Sequence, residues 1–148
     1  IIPLENRFYA GGTNSVRGWQ ANTLGPGIFP PTGNAFIALG GECKLEMNAE
    51  FRRDLVSPVE LAVFVDAGNV WFSGQGGFDD PRGRLSSETL RLGLSAGVGL
   101  RLDFDFVIIR LDVGQQLYAP DLERPVVRQF RDIGNNRIQY NLAIGYPF

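Results

Sequence analysis

The sequence predicts an all-β chain that forms part of an antiparallel transmembrane β-barrel. Three observations support this prediction: long segments alternate apolar and polar residues, the connections between them alternate in length, and no apolar run is long enough for a membrane helix. The longest unbroken apolar runs have five residues, as at positions 61–65, whereas a membrane helix needs about 20. If the chain enters a membrane, it therefore does so as strands.

The clearest strand is predicted over residues 90–103. Every even position from Leu90 to Leu102 is apolar, and no odd position from Arg91 to Asp103 carries an aliphatic side chain. A period of two sustained over this length is a strand pattern that a helix cannot satisfy. The same alternation predicts four further strands, over residues 42–53, 59–72, 106–117 and 137–148.

The lengths of the strands and of their connections indicate a membrane. Soluble strands usually run about 5–6 residues, whereas a strand that crosses a bilayer needs about 9–11. The connections near residues 54–58 and 104–105 are short, and those at 73–89 and 118–136 are long and polar. Short turns on one side and long loops on the other are typical of an outer-membrane barrel.

The alternative fold is a soluble antiparallel sandwich with one wet face. The chain has 19 glycines, and many fall on the polar parity of the strands, where a sandwich has little use for them. A barrel wall does use them, because bare backbone lets an inserted loop approach closely. Since the smallest membrane barrels have about eight strands, we expect other segments to complete this one.

Composition narrows the classes of function. The 148 residues favour a single domain, and 14 basic against 16 acidic residues give no bulk attraction to nucleic acid. The absence of histidine removes Ser-His-Asp and Cys-His catalysis and the HExxH zinc site. A single cysteine, Cys43, excludes an internal disulfide framework and a cysteine zinc cluster. We therefore expect no enzyme activity, no cofactor and no metal site.

One loop motif precedes the first strand. Gly11 and Gly12 are followed by the tetrad Val16, Arg17, Gly18 and Trp19. This segment resembles the signature loop of the BamA/TamA family of outer-membrane assembly factors, in which a Val/Ile-Arg-Gly-aromatic tetrad follows a glycine pair. Residues 64–71, 91–101 and 144–148 resemble later strands of that family in the right order. The turn at 103–106 and the Gly-Tyr-Pro-Phe ending are more similar to TamA-type members.

The resemblance implies a barrel of sixteen strands in the bacterial outer membrane, preceded by periplasmic POTRA domains. Residues 1–33 would form the long extracellular loop six, and residues 34–148 the last five strands. The implied function is insertion and assembly of client outer-membrane proteins. The implied partners are the lipid bilayer, the rest of the barrel, the POTRA domains and periplasmic assembly factors, with no nucleic acid.

The family holds its loop arginine inside the barrel against acidic side chains, and the matching positions here are Arg17, Glu50 and Asp66. Strand parity independently places both acids on the polar face. The guanidinium fork suits carboxylates and lysine does not replace it. The alternative is a solvated Arg17 and acids that merely line a wet barrel. Gly11, Gly12 and Gly18 are expected to provide the tight turns that fold the loop inward.

The chain ends in Gly145, Tyr146, Pro147 and Phe148, which match the terminal-strand signal of the family. Proline lacks the N–H that a strand ladder needs, so we expect this end to pair weakly and to form a seam with the first strand of the barrel. Aromatic residues near strand ends are predicted to meet the membrane interface: Trp71, Tyr140, Tyr146 and Phe148. Phe148 could also be a terminal girdle aromatic and nothing more.

Two other functions stay open at this point. One is a two-partner secretion pore of the same superfamily, which shares the loop motif and passes an extended protein through its interior. The other is a passive structural barrel, in which changes to the loop have no effect.

Overall fold

The computed structural model describes residues 3–30, 40–73, 79–122 and 137–145, which form one sheet of five strands in the order β1-β2-β3-β4-β5. The strands are β1 (Cys43–Val56), β2 (Val59–Trp71), β3 (Gly93–Asp103), β4 (Ile108–Tyr118) and β5 (Ile138–Ile144). Each pairs antiparallel with the next. The predicted antiparallel, sequential all-β arrangement is confirmed.

Helix is scarce in the described part of the chain. It consists of two 3-10 turns, Leu4–Asn6 and Pro81–Gly83. The second begins at Asp80, whose carboxylate accepts a hydrogen bond from the backbone N–H of Arg82 at 2.9 Å. Neither turn is long and apolar enough to cross a membrane.

The strand ends differ from the predicted ones. β1 continues to Val56, so the hairpin into β2 is tighter than expected. β3 begins at Gly93 rather than at Leu90, because the Leu90 N–H donates to Ser86 O at 2.9 Å and closes a turn instead of joining the sheet. β1 begins at Cys43 rather than at residue 42, β2 ends one residue early, and β4 runs over Ile108–Tyr118. β5 covers Ile138–Ile144, and the last three residues of the predicted strand lie outside the described residues.

The two faces of the sheet show the reverse of the burial found in a soluble protein, with apolar side chains exposed and polar ones buried. One face, here called the open face, carries exposed large apolar side chains: Leu45, Met47, Phe51, Val63, Val65, Val98, Leu100, Leu111, Val113, Tyr140, Leu142 and Ile144. The other, the covered face, lies beneath the segment before β1 and buries polar and charged groups. A soluble sandwich would seal Val98 and Leu100 in a core, yet they are 51% and 40% exposed. The sandwich alternative therefore fails.

The register aligns side chains of the covered face in rows across the sheet. One row contains Asn48, Asp66, Ser95 and Gln116, each opposite the next on the neighbouring strand. The next row contains Glu50, Phe64, Gly97, Gly114 and Gln139. Polar side chains in the first row and bare backbone in the second create a surface on which another piece of chain can lie.

Candidate functional site

The loop that carries the tetrad folds back onto the covered face. Its neck closes where Gly12 N–H donates to Trp19 O at 3.0 Å, and Gly11 and Gly12 have φ of +101° and +103°. Only glycine adopts this conformation readily, which agrees with the turn role expected for the pair. Val16 and Trp19 are buried in a small apolar cluster with Ala10, Leu24, Val70 and Ala119.

Gly18 is needed for a different reason from the one expected. Its φ is not positive, but a Cβ built there would lie 2.5 Å from Ser95 Cβ. On the strand side, a Cβ on Gly114 would lie 2.6 Å from Arg17 O, and one on Gly68 2.9 Å from Val16 Cγ2. Contacts this short leave no room for a side chain. The glycines of the covered face therefore bring loop and strand backbones into contact.

Arg17 contacts both predicted acids. Its Nε and Nη2 donate to the two carboxylate oxygens of Asp66, each at 2.8 Å, and its Nη1 donates to Glu50. The Arg17 backbone N–H also donates to Asp66, at 3.0 Å. The side chains of Arg17 and Asp66 are fully buried and that of Glu50 is 4% exposed. The arrangement rules out the solvated Arg17 of the alternative interpretation, and we call these three residues the clamp.

Burial and pairing act in opposite directions on the charge of Arg17. Burial disfavours the guanidinium cation, but the hydrogen bonds that it donates to Asp66 and Glu50, with their opposite charges, outweigh burial, and the pKa of Arg17 is raised above its ordinary value. The residue therefore stays charged. Removing one partner of such a pair leaves an uncompensated buried charge, which costs roughly 3–5 kcal/mol.

Phe64 completes the surroundings of Arg17 and was not found from the sequence. The guanidinium carbon lies 3.6 Å from the centre of the Phe64 ring, a cation–π geometry. Phe64 lies two residues before Asp66 on the same strand, so the alternation of the sequence places both side chains on the same face of the sheet. The apolar character of Phe64 made it look like an ordinary strand residue.

A second layer of charges extends the clamp toward β4, and it too was missed from the sequence. Arg101 donates to Glu50 at 2.9 Å and to Asp112. Because Arg52 Nε also donates to Glu50, at 2.6 Å, Glu50 is shared by three guanidinium groups. Arg110 stands directly opposite Arg101 in the register and donates to Asn14 of the loop at 2.6 Å. Parity places all three strand residues on the covered face, but only the register shows which of them meet.

Around the tetrad, the backbone of loop residues 15–18 is bound by one polar side chain from each of the five strands. The five contacts are Asn48 to Ser15 O (2.9 Å), Asp66 to Arg17 N (3.0 Å), Ser95 to Gly18 N (3.2 Å), Gln116 to Gly18 O (2.8 Å) and Asn141 to Arg17 O (2.9 Å). Buried backbone groups need such partners. The covered face thus holds the loop much as a neighbouring strand would, but through side chains.

Of the residues predicted to form the terminal signal or to meet the membrane interface, some lie where expected and others do not. Gly145 has a φ of +105° and still pairs, since its N–H donates to Ile108 O at 2.7 Å. Tyr146, Pro147 and Phe148 lie outside the described residues. Tyr140 is 72% exposed on the open face, as expected. Trp71 is not at the surface: it is 2% exposed and its Nε1 donates to Thr89 O at 2.8 Å, because the loop after β2 covers it.

Within the described ranges, no group of three or more potential ligand side chains is arranged to hold a metal ion. Many polar groups of the covered face pair with the loop or with one another. Among the described residues, Arg101 Nε, Arg110 Nε and Nη1, and Asp112 Oδ2 are buried without a hydrogen-bond partner.

Comparison with known proteins gives two matches. A model of the Omp85 superfamily domain matches residues 2–146. The chain is also similar to the outer membrane protein assembly factor BamA of Neisseria meningitidis serogroup B, with 39% identity over 75 residues. That alignment covers 47% of this chain and 9% of BamA, so the matched segment spans less than a tenth of the length of its relative.

Proposed function

Because this chain belongs to the Omp85 superfamily, we propose that it supplies part of the wall of a barrel that inserts proteins into the bacterial outer membrane. The superfamily match and the BamA relative indicate the outer membrane as its location and, at the level of the family, outer-membrane protein assembly as its role. Insertion of clients as the specific activity is our proposal for the whole protein. In it the covered face is the inner wall and the open face meets lipid.

The proposed mechanism uses strand edges and makes or breaks no covalent bond. β5 pairs with β4 on one side, and in the intact barrel its other edge would meet the first strand at a weak seam. Unpaired N–H and C=O groups in lipid each cost roughly several kcal/mol. An opened seam therefore offers client strands a template for pairing. No catalytic residue or cofactor is part of the proposal.

The observation that supports the proposal is the clamp. Arg17 pairs with Glu50 and Asp66, and its Nη1 lies 4.0 Å from Asp112 Oδ2. These buried contacts hold the loop against the wall, where burying the charges is costly unless each is paired. The alternative, a passive structural barrel, predicts that breaking the clamp has no effect on insertion. We propose that the clamped loop keeps the strands in the arrangement from which the seam opens.

The test is client insertion by the intact protein carrying Arg17→Ala. We expect the barrel to stay folded and the rate of client insertion into liposomes to fall at least several-fold. Arg53→Ala is the matched control, because Arg53 is an exposed arginine on the same strand as Glu50. It should insert clients at the native rate.

Two other outcomes of this test would favour the alternative functions. Native insertion by Arg17→Ala would contradict the proposal and favour the passive structural barrel. Loss of secretion of one extended protein, with no effect on any inserted client, would favour the two-partner secretion pore.

A further inference from the structure

Arg17 connects the two ends of the sheet. Its side chain is held by Glu50 of β1 and Asp66 of β2, whereas its backbone carbonyl accepts a hydrogen bond from Asn141 of β5 at 2.9 Å. The loop residue at the centre of the clamp therefore also touches the strand that the proposed function places at the seam.

Asn141 is well placed for this contact. It is 9% exposed, whereas its neighbours Tyr140 and Leu142 are 72% and 68% exposed on the open face. The carbonyl that it binds lies close to β4, since a Cβ on Gly114 would lie 2.6 Å from Arg17 O. Both the donor and the acceptor are buried, so the contact is shielded from competing water.

Other polar side chains of β5 do not reach the loop in the described residues. Gln139 shares the covered parity and donates its side-chain N–H to Tyr140 O of its own strand at 3.0 Å. Asn141 is thus the β5 side chain for which a hydrogen bond to the loop is found within the described ranges. Within the described residues, β5 is a strand of seven residues, Ile138–Ile144, compared with 11 in β4. The Asn141 hydrogen bond is therefore a larger share of the interactions that hold β5 to the rest of the protein.

We infer that Asn141 is a positioning residue that couples the clamp to β5. When Arg17 is held by Glu50 and Asp66, its carbonyl is fixed, and Asn141 fixes β5 against it. When the clamp is released, β5 loses that restraint and opens more often from β4. This inference rests on the proposed function for its biological meaning, but the coupling itself is a property of the sheet.

Hydrogen exchange of the backbone amides of residues 138–144, in the intact protein in liposomes, tests the coupling. The clamp is released by the double variant Glu50→Gln and Asp66→Asn, which keeps side-chain size and removes both charges. Faster hydrogen exchange of the backbone amides of residues 14–18 shows that the clamp has been released. Loss of one net hydrogen bond corresponds to about 2- to 12-fold faster exchange, and we expect clamp release to produce this change in β5.

To measure the coupling, the clamp is released in the same way in two further variants, and the exchange of β5 is compared. In Asn141→Leu, release should leave β5 exchange within about 1.5-fold of that background, because the bond is already lost. In Gln139→Leu, the matched control, release should accelerate β5 as in the native protein. Asn141→Ala serves if the leucine variant does not fold. Equal acceleration in all three backgrounds, or no acceleration of β5 while residues 14–18 exchange faster, would overturn the inference.

Client insertion measured on the same samples separates this inference from the proposed function. Coupled exchange with native insertion would contradict the proposed function and leave the coupling standing. Impaired insertion with equal acceleration in all backgrounds would contradict the coupling alone.

Discussion

At the scale of single residues, the contacts of Arg17 depend on the shape of its guanidinium group as well as on its positive charge. Arg17 uses Nε and Nη2 on Asp66 and Nη1 on Glu50, so three donors of a planar fork act at once. Lysine carries the same charge on a single nitrogen and cannot reproduce two directed pairs. The shape of the guanidinium is therefore part of the site.

This difference predicts that Arg17→Lys restores only part of what Arg17→Ala removes. A lysine would contact one carboxylate and leave the other buried and unpaired. We expect the backbone amides of residues 14–18 to exchange faster than in the native protein and more slowly than in the alanine variant. Native protection in the lysine variant would show that charge alone holds the loop.

The sequence predicted part of this site. The family resemblance supplied Arg17 and the matching acids Glu50 and Asp66, and strand parity agreed by placing both acids on the polar face. Phe64, Arg101, Asp112 and Asn141 share the covered parity, yet parity gives only a face. Which of these residues meet depends on the register between strands, which is fixed by the whole sheet.

At the scale of elements, tertiary contacts decide where strands stop. The alternation from Leu90 onward predicts strand, but these residues close a turn with Ser86 and support the end of β2. Asn69 donates to Arg91 O at 2.7 Å, and Trp71 donates to Thr89 O at 2.8 Å. Local periodicity could not reveal these partners, because they lie about 20 residues away in sequence.

Trp71→Phe should loosen this loop without disturbing the sheet. The ring stays buried, and the change removes one hydrogen bond to Thr89 O, worth about 0.5–1.5 kcal/mol net. We expect faster proteolysis or exchange at residues 86–91 and unchanged exchange in β3. If the loop keeps its native protection, the indole N–H does not hold it.

At the scale of the whole molecule, burial is inverted relative to a soluble protein. Arg17, Asp66, Ser95, Arg101, Arg110 and Asp112 are nearly inaccessible, while most large apolar side chains of the strands are exposed. This inversion follows directly from the alternating pattern, which is why the fold class could be predicted. Closure into a barrel stays a prediction, because β1 and β5 are not paired with each other in the described sheet.

Lipid contact at the open face predicts a dependence on depth. Val98 lies in the middle of β3, and Val98→Arg should reduce the free energy of folding into liposomes by roughly 2–4 kcal/mol. Phe106→Arg is the matched control, because Phe106 is 88% exposed in the turn between β3 and β4 and should cost only about 0–1 kcal/mol near the interface. Equal costs at the two positions would contradict a membrane-facing sheet.

The most direct test of the central claim is a double-mutant cycle between Arg17 and Asp66, with client insertion by the intact protein as the measurement. If the two residues act as one clamp that assembly requires, each alanine variant should slow insertion and the double variant should be no slower than the slower single one. Such non-additivity would correspond to a coupling free energy of about 1–3 kcal/mol. Independent effects that multiply in the double variant, or native insertion in all three, would contradict the account.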